Sequence, residues 1–204
     1  DLERLAAEPL GSRQVAPETA RDIIRRLPPG TETVGVLRDR TADEIAALQA
    51  AVGFSWVQLH GDETPETAKR FHPRVIKAFW RYRQGVATFK PFAGAVLLLD
   101  QPKRVPRRPG RPAPPPGIPV SRKDRTVPRL SAGGASDAFL HFARQARQFG
   151  RVMLAGGLDP GNVAEWVDRL RPWGVDVARG VEEYPGRKDP GKLRAFIEAV
   201  RAAR

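Results

Sequence analysis

The sequence predicts an α/β fold, and within that class a (β/α)8 barrel, on three observations. Six short runs are apolar on both faces, as strands of a parallel sheet covered on both sides must be. Helical patterns lie between most of them. Polar residues and glycines gather at the C-terminal ends of those runs, the edge where barrel enzymes build their sites. An open doubly wound sheet is the competing architecture. It is disfavoured because no run is followed by the G-x-G-x-x-G dinucleotide fingerprint.

The elements follow in chain order. Residues 17–27 read as a helix, with Pro17 in its first turn and Ile23, Ile24 and Leu27 on one face. Residues 33–37 (TVGVL) read as a strand. Thr41 to Glu44 has the form of a capping box, with Thr41 as N-cap and Glu44 reaching back. The helix it opens carries Ile45, Leu48 and Val52 and stops at Gly53. Residues 55–59 (SWVQL) are a strand, 65–71 a short helix, and 75–79 and 95–99 (AVLLL) two further strands. Ser136 can cap a helix bearing Phe139, Phe142 and Ala146. Residues 151–155 (RVMLA) form a strand. Asp159-Pro160 opens a helix with Val163, Trp166 and Val167. Residues 175–178 are the sixth strand, and Asp189-Pro190 opens a last helix whose face is Leu193, Phe196, Ile197 and Val200.

One stretch breaks this alternation. Residues 101–130 hold nine Lys and Arg against one acid, Asp124, and nine of the twenty prolines. Proline fixes φ and removes donors, so neither a helix nor a central strand runs through such text. It reads as an extended loop insert within one barrel domain spanning 1–204. Most of the chain's net charge of +12 therefore sits in this insert. The charge invites a nucleic-acid reading, but the insert has no aromatic residue for base stacking. Nucleic acid is not the expected partner, and a solvated loop is the preferred reading over a partner-binding segment or text from a shifted reading frame.

Composition removes several function classes. At 204 residues and 41% hydrophobic, the chain can bury a core. No apolar run reaches the ~20 residues of a membrane helix, and no leader peptide is visible, which predicts a cytoplasmic protein without membrane contact. Zero Cys excludes disulfides, thiolate metal sites and cysteine nucleophiles. The three histidines, His60, His72 and His141, disfavour a histidine metal site.

The candidate residues sit at the C-terminal ends of the strands. Gly156-Gly157 and Gly180 follow the last two; such glycines either make tight turns or let backbone N–H groups approach an anion beside a helix dipole. Asp100 ends the most hydrophobic strand. At a barrel mouth its carboxyl is partly desolvated and suited to general-acid use; a helix cap or solvated loop acid is the alternative. His60 either binds substrate or bonds within the wall. Asp176 points into the barrel end or caps a turn. His72 and His141 fall on helical or loop stretches and carry no expected role.

Several stretches occur together in a fixed order: Val57-Gln58-Leu59-His60-Gly61-Asp62-Glu63, Val75-Ile76-Lys77-Ala78, Leu97-Leu98-Leu99-Asp100, Leu154 to Val163 (LAGGLDPGNV) and Val175 to Asp189 (VDVARGVEEYPGRKD). In these the chain resembles the phosphoribosylanthranilate isomerase family of tryptophan biosynthesis, over about residues 11–100 and 132–203. The resemblance implies a TIM barrel and a cofactor-free Amadori rearrangement. N-(5-phosphoribosyl)anthranilate would become 1-(2-carboxyphenylamino)-1-deoxyribulose 5-phosphate. It implies Asp100 as general acid, Arg13 as the partner of the anthranilate carboxylate, and His60 and Asp176 near the substrate. Gly133, Gly134, Gly156, Gly157 and Gly180 match phosphate-loop positions. Arg179 stands where the family has a serine and would supply charge instead. The family's first strand carries a cysteine as general base. That strand and its helix are missing from this chain, which has no Cys; an N-terminally incomplete version of a working enzyme is the preferred reading over a decayed or repurposed protein, and without the base the turnover of the chain as given is expected to be impaired. A monomer or homodimer is expected.

Overall fold

In the computed structural model, which describes residues 14–80, 85–100 and 137–203, six strands lie side by side in chain order. They are β1 (Val34–Leu37), β2 (Trp56–Leu59), β3 (Val75–Phe79), β4 (Val96–Asp100), β5 (Val152–Ala155) and β6 (Gly174–Val175). Every pair is parallel, from Val34 opposite Trp56 to Leu154 opposite Val175. Six α-helices accompany them among the described residues: α1 (Pro17–Arg25), α2 (Ala42–Val52), α3 (Pro65–Arg70), α4 (Asp137–Ala146), α5 (Val163–Leu170) and α6 (Pro190–Ala202).

Strand side chains alternate between two cores. Val57, Leu59 and Val75 pack outward with Ile45, Leu48 and Val52 of α2, while Leu97, Leu99, Val152 and Leu154 pack outward with α4, α5 and Phe196 of α6. Ile76, Ala78, Val96, Leu98 and Ala155 face the other way and pack with Trp56, Trp80 and Met153. Apolar character on both faces thus has its expected cause.

The sheet is curled. Trp56 starts β2 and Trp173 precedes β6, four strand spacings away, which is about 19 Å in a flat sheet. Their ring centroids are 6.1 Å apart. The strands wrap around a common interior as barrel staves do. On the β1 side this interior is open among the described residues: Val34 and Val36 share a face with Trp56 and Gln58, yet are 43% and 61% exposed.

Local signals explain the boundaries. Thr41 Oγ1 accepts the Glu44 N–H at 3.2 Å and Glu44 accepts the Thr41 N–H at 2.8 Å, so the capping box forms. Gly53 ends α2 at φ +89°, a left-handed conformation glycine adopts without a Cβ penalty. Other boundaries move. The ladder of β6 keeps only Gly174 and Val175, because Asp176 onward turns away, although the Asp176 N–H still donates to Leu154 at 2.7 Å. Pro160 and Gly161 form a turn rather than the first turn of α5, since the Asp159 carboxylate accepts the Gly161 N–H at 2.8 Å. Besides the short 3-10 turn Arg179–Val181, two features have no counterpart in the sequence reading. One is a 3-10 helix over Gly85–Phe92, whose Phe89 meets Phe79 edge-on at 4.8 Å. The other is an antiparallel hairpin of β7 (Glu182–Tyr184) and β8 (Arg187–Lys188).

Candidate functional site at the strand ends

Parallel strands deliver their C-terminal ends to one edge, and the sequence places polar groups there. Asp100 is the last residue of β4, on the inward face beside Leu98 and Val96, and is half-buried with its Oδ1 enclosed. His60 follows β2; its Nδ1 pairs with Gln58 Nε2 at 3.0 Å, and its ring stacks on Trp80 at 5.4 Å and 10°. Trp80 follows β3 and Asp176 follows β6.

Three of these groups feel one another. Burial lowers the pKa of His60, opposed by the charges of Asp100 and Asp176. Burial raises the pKa of Asp176, and the nearby Asp100 charge adds to the shift. Asp176 is reached by water yet recessed among protein atoms, so its charge loses part of its hydration. Two carboxyl groups and an imidazole gathered at one strand edge are the group types that general acid–base chemistry uses.

The loops after β5 and β6 form the other half of the edge. Gly156 and Gly157 have φ of +89° and +68°, and a β-carbon at Gly157 would meet no atom within 4 Å. The backbone there opens onto free space. Asn162 fixes this turn by donating to the Gly157 carbonyl at 3.0 Å and accepting the Asp159 N–H at 3.0 Å. Gly180 lies in the 3-10 turn Arg179–Val181. A β-carbon there would collide with the Leu158 carbonyl oxygen and lie 2.9 Å from Asp159 Cα. Gly180 therefore lets the two glycine loops touch.

The structure brings His60, Asp100, Asp176, Gly156, Gly157, Arg179 and Gly180 to the same edge, with Arg179 exposed at the start of its turn. Arg13, Gly133, Gly134 and the 101–130 insert lie outside the described residues. Sequence reasoning missed Trp80 and a buried pair, Glu63 and Lys77, bonded at 2.9 Å. The signal for that pair was present, because Lys77 is the one charged residue in an otherwise apolar strand, VIKAF. No helix among the described residues is long and apolar enough to cross a membrane.

Residues 2–199 match the protein family described as N-(5'phosphoribosyl)anthranilate (PRA) isomerase. The N-(5'-phosphoribosyl)anthranilate isomerase of Desulforudis audaxviator is 39% identical over 197 residues, covering 95% of this chain and 84% of that protein. Among solved structures, the phosphoribosyl anthranilate isomerase of Thermotoga maritima superposes with a TM-score of 0.71 at 30% identity, over 95% of this chain and 84% of that one. An isomerase solved in complex with reduced 1-(o-carboxyphenylamino)-1-deoxyribulose 5-phosphate superposes with a TM-score of 0.70 at 28% identity, over the same shares.

Proposed function

The chain belongs to the N-(5'-phosphoribosyl)anthranilate isomerase family, and we propose that it performs that family's rearrangement with Asp100 as general acid. The observation that carries the assignment of roles is the edge itself. An inward carboxyl group and two touching glycine loops share one mouth, Asp100 pairing with Ala155, the residue before Gly156.

The substrate carries a phosphate, a ribose ring and an anthranilate. The phosphate would sit where Gly157 opens onto free space, between the loops of Gly156 and Gly180, with backbone N–H groups as donors and the Arg179 guanidinium as countercharge. That anchor aims the ribose at the mouth. Asp100 donates a proton to the ribose ring oxygen, the bond from that oxygen to C1' breaks, and the nitrogen lone pair forms a Schiff base at C1'. Water takes the C2' proton in this chain without a cysteine, and the C–H electron pair moves into a C1'–C2' double bond and returns the iminium electrons to nitrogen. The enolamine tautomerises to the ketone. His60 and Asp176 line the space in which C2' would lie and orient the ribose hydroxyls. Arg13 is assigned to the anthranilate carboxylate, a planar bidentate task suited to guanidinium. A cytoplasmic location and a monomeric or homodimeric state complete the reading.

The test is turnover by the purified chain, followed by loss of substrate fluorescence, together with rescue of a tryptophan auxotroph lacking this isomerase. Asp100→Asn keeps the shape but cannot donate the proton, and is expected to lower kcat by at least about a hundredfold. Equal turnover by the parent and Asp100→Asn would remove Asp100 from its assigned role.

A further inference from the structure

The loops after β1 and β2 meet β3 on one buried carboxylate. Glu63, 8% exposed, accepts the Asp39 N–H on Oε1 at 2.9 Å and the Gly61 N–H on both oxygens, at 3.1 and 2.9 Å. Its Oε2 also takes Lys77 Nζ at 2.9 Å. Lys77, 4% exposed, gives a second bond to the Gly61 carbonyl at 2.5 Å. Both polar atoms of Gly61 are thus held by one ion pair. Asp39 closes the arrangement by accepting the Asp62 N–H at 2.9 Å, and itself sits at φ +53°. Gly61 has no room for a side chain, since a β-carbon would lie 2.6 Å from Asp39 N.

Two full charges taken out of water rarely add net stability, and apolar replacements of a buried pair are often as stable. This pair lies at the edge of the site. Gly61 is bonded through its peptide to His60, whose ring stacks on Trp80 and bonds Gln58. We infer that Glu63 and Lys77 are positioning residues for the mouth: Glu63 holds the His60–Gly61 peptide and Lys77 the Gly61–Asp62 peptide, and together they keep the imidazole where the substrate meets the end of β2. The inference rests on the isomerase reading for the identity of that substrate.

The experiment compares the full chain with Glu63→Gln, Lys77→Met and the double variant. Three readouts are taken: the thermal midpoint, the NMR signals of the His60 ring, and the affinity for the reduced product analogue named above. Each single variant strands a buried charge or mispairs it, so each loses thermal stability. In each, the His60 signals leave the ring-current field of Trp80 and analogue affinity falls at least about tenfold. The double variant holds no lone buried charge and regains stability. Its His60 signals stay displaced and its binding stays weak, because an amide N–H replaces one acceptor and no cation reaches the Gly61 carbonyl. A double variant with the parent's His60 signals and affinity would overturn the inference. If the parent itself binds no analogue, the substrate reading falls, and the His60 signals alone decide. Displaced signals in the stable double variant support positioning, and unmoved signals refute it.

Discussion

Replacing Gly180 by alanine tests the claim that the two glycine loops form one unit. The added β-carbon would sit 2.9 Å from both the Leu158 carbonyl carbon and Asp159 Cα, and closer still to the Leu158 oxygen. Carbon atoms in ordinary contact are about 3.7 Å apart, so the loops must separate by roughly 0.8 Å or more. Nothing flexible can yield, because every obstructing atom is backbone. Overpacking of this kind costs about 1–3 kcal/mol, and a displacement near 1 Å at a binding site costs up to about a hundredfold in kcat/KM. Gly157→Ala is the matched control. Its β-carbon meets nothing within 4 Å, so its penalty is confined to a φ of +68°, about 1–2 kcal/mol. The assay is affinity for the reduced product analogue, with urea denaturation of both variants. Gly180→Ala is expected to lose the larger part of its affinity even after its stability loss is accounted for. Parental affinity in Gly180→Ala would refute contact between the loops as the basis of the proposed phosphate site.

Two further outcomes follow from the same geometry. His60 is held below its ordinary value by burial, so the folded chain binds fewer protons than the unfolded chain just below about pH 6.5. Its contribution to stability is then present above about pH 6.5 and declines as pH falls toward the lower folded value. His60→Gln should flatten the fall in thermal midpoint over that window, and an unchanged slope would contradict the burial. Thr41→Ala removes the hydroxyl half of the capping box on α2 and leaves the backbone N–H of residue 41 to Glu44; it should cost about 1 kcal/mol in urea denaturation with little change in turnover.

Much of the fold is legible in the sequence because its signals are local. The run VLLLD names a buried strand ending in a carboxyl group, and Thr41 with Glu44 names a helix start that forms as expected. Short-range rules fail where a loop settles against a distant segment. The sixth strand is cut to Gly174–Val175 because Asp176 leaves the ladder for the mouth. The 3-10 helix over Gly85–Phe92 forms where Phe89 finds Phe79, Phe142 and Phe149, a cluster drawn from three other segments. Gly180 reads in sequence as either a turn or a phosphate contact. Only the approach to Leu158 and Asp159 shows that it also joins two loops.

That distinction bears on how the site is built. The candidate residues come from the ends of separate strands, and a parallel sheet fixes the strands rather than the loops beyond them. On the β2 side, the Glu63–Lys77 pair and Gly61 bind the first loops to β3. On the β6 side, Asn162 ties the loop after β5 to itself, and Gly180 lets the loop after β6 pack against it. Lys188 of the hairpin reaches back to the Ala178 carbonyl at 2.8 Å and to Glu182, and Lys192 of α6 bonds the Glu182 carbonyl at 2.9 Å. Asp100 needs no such brace, because it is itself the last residue of a central strand paired with Ala155. The group assigned the proton transfer is therefore held by the sheet, while the groups assigned to bind and orient the substrate are held by loop-to-loop contacts. Substitutions that loosen those contacts should act first on KM, and substitutions at Asp100 on kcat.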